Sequence, residues 1–218
     1  MKKSSVKEFE NKRWREGDQA FVFRHAKTIE MVEKGQKVLD IACGDGLLLS
    51  ALAQKGVSAS GIDISEEGVK KCREKGLDVS VVDIATENLP FADGTFDTVV
   101  MLDVLEHVYA PETLLQEVVR VSKKYIIISV PNFNSLPARL QVLRGGVPEN
   151  NRPNKGHVYW FNYRILASML LKHGLVITHV EANTFSERIP VLGSITRFFT
   201  AIFPNLFGLS FVVKVEKI

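Results

Sequence analysis

KVLDIACGDGLLLS, Lys37 to Ser50, is an apolar strand that runs straight into a glycine-bearing turn and then into an apolar helix. A strand, a tight turn and a helix N-terminus together form a cradle of nucleotide size. Gly44 and Gly46 carry no Cβ, so the backbone can bend sharply there and approach a ligand closely. The helix that begins near Leu47 points its first free N–H groups at the same spot. A glycine turn after a strand is weak by itself; the chain downstream gives it weight.

Apolar periodicity predicts a helix over 21–33, a strand over 38–42, a helix over 47–54 and a strand over 59–63. A helix over 66–75, closed by Gly76, leads to a strand over 79–83 and a turn-rich link at 88–94. The next strand is expected over 98–102 and the next helix over 111–122. The continuous apolar run 125–130 reads as a strand covered on both faces. This βαβαβ rhythm predicts an α/β fold, a doubly wound, mostly parallel sheet with helices on both faces.

In such sheets ligands sit beyond the carboxyl ends of the strands, where strand order reverses. The residues at those ends are unusually acidic: Asp40, Asp63, Asp83 and Asp103. Asp63 lies 17 positions after Gly46, which suits a strand-end acid that accepts both hydroxyls of a ribose. A carboxylate fits that task because it only accepts and can take two O–H donors. Asp83-Ile84 pairs a polar group with an apolar wall, as an adenine ring requires. So many carboxylates repel a pyrophosphate. A ligand with a ribose, a base and a cationic or zwitterionic tail fits better than a dinucleotide.

The bulk properties agree. Apolar residues make up 45% of the 218 residues, enough for a full core. Twenty-eight Lys and Arg against 25 Asp and Glu give a net +3, too small an excess to argue for nucleic acid. Cys43 and Cys72 make no disulfide framework, and the polar residues after Met1 make no signal peptide. A reducing, cytoplasmic setting is expected.

DIACGDG at 40–46, GIDIS around Asp63, VVDIA around Asp83-Ile84 and LPFADGTFDTVVMLDVLEHV from Leu89 to Val108 follow one another in a familiar order. In these motifs the chain resembles the class I S-adenosylmethionine-dependent methyltransferases, with Ala42 in place of the usual first glycine. The text through VPNFNSLPARLQVLRG is most similar to the MetW-like branch of methyltransferase type 11 proteins. The resemblance implies a Rossmann-like seven-stranded sheet whose last strand, 211–215, is antiparallel. It implies S-adenosylmethionine as cofactor, S-adenosylhomocysteine as product and a small-molecule acceptor, with no nucleic acid. By position, Asp40, Ala42, Gly44 and Gly46 would shape the turn around the methionine part, with Cys43 touching it through its backbone. Asp63 would hold the ribose with Ile64 against the adenine, Asp83 and Ile84 would flank the adenine, and Asp103 and Val104 would line the methionine side.

A sulfonium is already an activated methyl donor, so alignment of the acceptor supplies much of the acceleration. His107 and His157 are the candidate catalytic residues, and Asn132, after the fifth strand, is expected to point the same way. Asp103, Glu106 and His107 also spell D-x-x-E-H, similar to the set in some metal-dependent O-methyltransferases. With His157 it would suit Mg²⁺, Mn²⁺ or Zn²⁺. The same text is widespread in the superfamily without a metal, so no metal ligand is assigned and metal-assisted O-methyl transfer stands as an alternative. Two others are a partner-dependent or non-catalytic cofactor binder linked to methionine biosynthesis, and a dehydrogenase. Against the last, position 49 of a G-x-G-x-x-G pattern is Leu49.

The expected organisation is one domain over 1–218: cap helices in 1–36, a cofactor half in 37–131 and an acceptor half in 132–218. The acceptor half carries a polar loop at 144–157, suited to an acceptor lid, and an apolar segment at 189–209. That segment holds Phe198, Phe199, Phe203 and Phe207, with Phe211 just beyond it; Arg197, Pro204 and Asn205 rule out a membrane span. Burial in the core is the expectation, and an apolar mouth for a lipid-like acceptor or a membrane surface the alternative. Trp14, Arg24 and His25 fall in the cap helices; Cys72, His173 and His179 draw structural readings.

Overall fold

The computed structural model describes residues 3–152, 155–184 and 198–218. The strands are β1 (Lys37–Ile41), β2 (Ser58–Asp63), β3 (Asp78–Val81), β4 (Phe96–Leu102), β5 (Ser122–Pro131), β6 (Leu175–Thr184) and β7 (Gly208–Lys217). The helices of eight residues or more are α1 (Lys3–Glu16), α2 (Phe23–Met31), α3 (Leu47–Gln54), α4 (Glu66–Glu74), α5 (Pro111–Val121), α6 (Leu136–Leu143) and α7 (Tyr163–Lys172), and a single turn, Pro204–Phe207, precedes β7. The strands form one sheet in the order β3-β2-β1-β4-β5-β7-β6. β1 pairs in parallel with both β2 and β4, β2 in parallel with β3, and β6 antiparallel with β7. This is the expected mixed sheet with an antiparallel last strand. β1 is where strand order reverses, the place where such sheets bind ligands.

The chain divides into two compact units, residues 1–102 with 113–127, and residues 103–112 with 128–218. In the first unit Val38, Leu39, Ile41, Ile62, Val99 and Val100 are fully shut away from water, as strands covered on both faces require. Cys43, Leu49, Val69, Cys72 and Val79 close the core beneath the β1 turn. α4 starts where it does because Ser65 caps it, its Oγ accepting from the Gly68 N–H at 3.1 Å. Glu66 and Glu67 in its first turn and Lys71 and Arg73 in its last complement the helix dipole.

In the second unit Phe161, Leu166, Leu170, Phe211 and Val213 form the core around α7 and the β6–β7 pair. Asn162 caps α7 by accepting from the Ile165 N–H at 2.9 Å. Asn132 binds the unit together. Its Nδ2 donates to the carbonyls of Asn205 and Gly208 at 3.1 and 2.6 Å, and its Oδ1 accepts from the Asn134 N–H at 2.9 Å.

Several expectations change. The third strand ends at Val81, so Asp83 lies in the turn beyond, where its Oδ1 accepts from the Ala85 N–H at 3.1 Å. The fifth begins at Ser122, because α5 stops at Val121. The apolar tail is not all core. Residues 189–197 lie outside the described ones, and Phe211 is buried in β7. Phe198 and Phe203 are 64% and 54% exposed, and Phe199 and Ile202 are exposed as well. Helical residues 198–202 turn Thr200 inward, which leaves the large side chains on either side of it outside. Among the described residues no helix is long and apolar enough to cross a membrane.

Candidate functional site

In the first unit the turn after β1 alternates left-handed positions: Ala42 at φ 61°, Gly44 at 58° and Gly46 at 79°. Ala42 therefore holds, with a methyl group, a conformation that glycine adopts freely; such strain gathers at functional sites. The turn is tied to β2 from both ends. The Cys43 N–H donates to the Ile62 carbonyl at 3.0 Å, and the Gly44 N–H donates to Asp63 Oδ2 at 2.8 Å. Asp63 Oδ1 accepts from the Ser65 N–H, also at 2.8 Å. The Val82 N–H donates to the Asp63 carbonyl at 2.9 Å, which brings Asp83 and Ile84 alongside. Asp40, Ala42, Cys43, Gly44, Gly46, Asp63 and Ile64 are thus grouped where β1 and β2 end, with Asp83 and Ile84 at the exit of β3.

Two buried acids give this turn its electrostatics. Burial, reinforced by the neighbouring Asp63 charge, pushes the Asp40 carboxyl up to about 8. Asp63 is also raised by burial, against the pull of the Ser65, Gly44 and Ile64 backbone N–H groups. Cys43 is no nucleophile. Its hydrogen bond with Cys72, followed by burial, holds the thiol protonated. Cys72 is fully buried, its Sγ donating to the Gly44 carbonyl at 3.3 Å.

Sequence reading missed how closely α1 joins this turn. The Trp14 indole, 6% exposed, lies on Gly44, where an added Cβ would meet its Cζ2 at 2.4 Å. Asn11 Oδ1 accepts from Ser65 Oγ at 2.7 Å, and Lys7 and Arg15 pair with Glu66 and Glu67 at 2.6 and 3.0 Å. The Gln19 N–H donates to Asp45 Oδ2 at 3.3 Å. Trp14 Nε1 and Asp45 Oδ1 are buried polar atoms with no hydrogen-bond partner. A large aromatic near the end of a basic helix was the only trace of this in the sequence. His25 does not join the turn: it is buried in α2, its Nδ1 accepting from the Val22 N–H at 3.1 Å.

In the second unit Asp103 also takes a left-handed conformation, φ 55°, and is fixed by Ser129. The Asp103 N–H donates to the Ser129 carbonyl, and Ser129 Oγ donates to Asp103 Oδ1. Val104 is buried beside it. The 3₁₀ turn Leu105–His107 buries Glu106 and exposes His107. The Glu106 carbonyl accepts from the Val158 and Tyr159 N–H groups at 2.8 and 3.0 Å, which brings His157 to His107, ring centroids 4.8 Å apart. Candidate ligand atoms of Glu106, His107 and His157 all lie within 4.8 Å of one another. His107 Nδ1 faces the Gly156 carbonyl at 3.2 Å, which favours the tautomer protonated on Nδ1. Burial lowers the His157 pKa, against a bond to the Asn150 backbone and the Asp103 charge. Asn132 departs from expectation: its amide is committed to the backbone and offers nothing to an acceptor.

Comparison with known proteins gives a consistent set. A family model described as "Methionine biosynthesis protein MetW" matches residues 23–212. The ubiquinone biosynthesis O-methyltransferase of Methylococcus capsulatus is 39% identical over 117 residues, 51% of this chain and 49% of that protein. The protein of the same name from Thiobacillus denitrificans is 31% identical over 161 residues, 70% of this chain and 69% of that protein. The match thus spans about half the length of the first relative and about two thirds of the second. Among solved structures, magnesium protoporphyrin IX methyltransferase from Synechocystis superposes with a TM-score of 0.69 at 21% identity, covering 99% of this chain and 100% of that one. An S-adenosylmethionine-dependent methyltransferase from Archaeoglobus fulgidus gives 0.64 at 23% identity, covering 89% and 91%. At these identities the superpositions establish the fold.

Proposed function

This chain belongs to the MetW family, within the S-adenosylmethionine-dependent methyltransferase superfamily, and from that premise we propose that it transfers a methyl group from S-adenosylmethionine to a small-molecule acceptor in the cytoplasm. The observation that carries the reading is the strained turn at Ala42, Gly44 and Gly46, bonded to the buried Asp63. The Gly44 and Ser65 N–H groups, with that of Ile64 beside them, occupy part of the Asp63 carboxylate, which has four acceptor sites in all and so keeps capacity for a ribose hydroxyl. The buried, unpartnered Trp14 Nε1–H and Asp45 Oδ1 suit the carboxylate and the ammonium of a zwitterionic tail. The sulfonium supplies the activated methyl. The protein has to hold the acceptor in line, exclude water and remove a proton where the acceptor is a hydroxyl. His157, kept neutral by burial, is the candidate base for that proton, with His107 at its edge. The relatives' names favour an oxygen acceptor.

The Glu106–His107–His157 cluster favours one variant, a divalent cation that would polarise the acceptor oxygen. Elemental analysis of untagged protein decides it, and a metal-free protein whose activity survives EDTA would exclude it.

The test of the main reading is calorimetric titration with S-adenosylhomocysteine, then methyl transfer to a panel of phenolic and carboxylate acceptors. Wild type should bind, and Asp63→Ala should bind at least tenfold more weakly. Binding without transfer to any acceptor would favour the partner-dependent alternative. A folded wild-type protein that binds neither S-adenosylhomocysteine nor S-adenosylmethionine would overturn the reading.

A further inference from the structure

In the second unit, Asn132 is a hub that brings three apolar segments to one place. Through its bonds to Asn134, Asn205 and Gly208 it joins the start of α6 to residues 203–209. The Phe133 N–H donates to the Phe161 carbonyl at 2.9 Å, and the Phe133 ring lies 6.2 Å from that of Trp160. The Phe203 N–H in turn donates to the Phe199 carbonyl. Phe133, Trp160 and Phe203 all remain exposed, Trp160 at 50%. α6 adds a stripe. None of its side chains is buried, and Leu140 and Leu143, the latter 82% exposed, continue into exposed Val147. Exposed apolar side chains gathered in this way mark a surface that something covers.

The charges say what covers it. Residues 132–148 carry Arg139 and Arg144 and no acid, the next residue, Glu149, is paired with Arg152 at 3.1 Å, and residues 198–213 carry no charge at all. A second copy presenting the same acid-free segments would bring no carboxylate of its own from them to pair with these arginines. An anionic bilayer surface matches both features, with Trp, Phe and Leu side chains at the acyl boundary and arginines among the headgroups.

We propose that this face, built from α6, Phe133, Trp160 and the exposed aromatic residues 198–203, docks the protein on an anionic lipid surface. The docking is peripheral and independent of bound cofactor, so it stands or falls apart from the methyltransferase reading.

Co-sedimentation of the full chain with vesicles tests it. Wild type should sediment with equimolar phosphatidylglycerol and phosphatidylcholine, more weakly at high salt, and little with phosphatidylcholine alone. Each arginine near an anionic surface contributes about fivefold, so the Arg139→Gln/Arg144→Gln double variant should bind about 25-fold more weakly. Leu140→Ser/Leu143→Ser should lose most of the binding. These four side chains are all exposed, and circular dichroism should report an unchanged fold. Wild type left in the supernatant, or both double variants binding as wild type does, would overturn the proposal. So would a wild-type dimer in light scattering that Leu140→Ser/Leu143→Ser splits, because the face would then belong to a second copy.

Discussion

Asp40 has a carboxyl group placed where ionisation is costly, and that cost should be visible in the stability of the protein. Its pKa in the folded chain is about 8, from burial first and the Asp63 charge second, against the ordinary carboxylate value near 4 when unfolded. Between those values the folded state holds a proton that the unfolded state has lost. Stability therefore declines as pH rises through that window, with a slope of up to about 1.4 kcal/mol per pH unit. Asp63 is raised too and adds slope of the same sign. Asp40→Asn should flatten the profile of unfolding free energy between about pH 5 and pH 8 without removing it. An unchanged profile in urea melts would show that Asp40 is ionised in the folded protein. A cationic ligand beside these carboxyls would release protons on binding, measurable by calorimetry in buffers of different ionisation enthalpy.

At the scale of elements, the coupling of α1 to the turn after β1 rests on contact more than on charge. The Lys7–Glu66 and Arg15–Glu67 pairs are solvent-exposed in large part and contribute little, whereas the Trp14 indole is shut against Gly44. Gly44→Ala places a Cβ 2.4 Å from that ring in a left-handed position, so it should cost about 2–4 kcal/mol. In Trp14→Ala the same change meets an empty space. The double variant should therefore be markedly more stable than the sum of the single losses predicts, and additive losses in a double-mutant cycle would mean that α1 does not sit on the turn. None of this coupling is periodic, so the sequence marked α1 as a cap helix without showing which of its residues meets the turn. What it did show was local. The β1–turn–α3 stretch and Asp63 at the end of β2 follow from patterns that a strand-turn-helix imposes on its residues, whereas the pairing of His107 with His157, fifty positions apart, was suggested only by the likeness of D-x-x-E-H to a known set. Residues 198–203 were misread as core because composition reports apolarity, and only the fold decides which side of a helix meets an interior.

At the scale of the molecule, β5 bears on whether the chain has one stability or two. Its residues 122–127 belong to one compact unit and residues 128–131 to the other, so a single strand runs through both. The chain should therefore unfold in one transition, and a ligand bound at the turn after β1 should raise the melting point of the whole. At a hundredfold excess over its Kd, S-adenosylhomocysteine should add about 2.7 kcal/mol, a shift of about 5–10 °C for a chain of this length. Differential scanning calorimetry with and without the ligand distinguishes the cases. A single peak that moves as a whole fits one cooperative molecule. Two peaks, of which only one moves, would mean that β5 joins two units that fold independently, and that the strained turn at Ala42 is stabilised by the first of them alone.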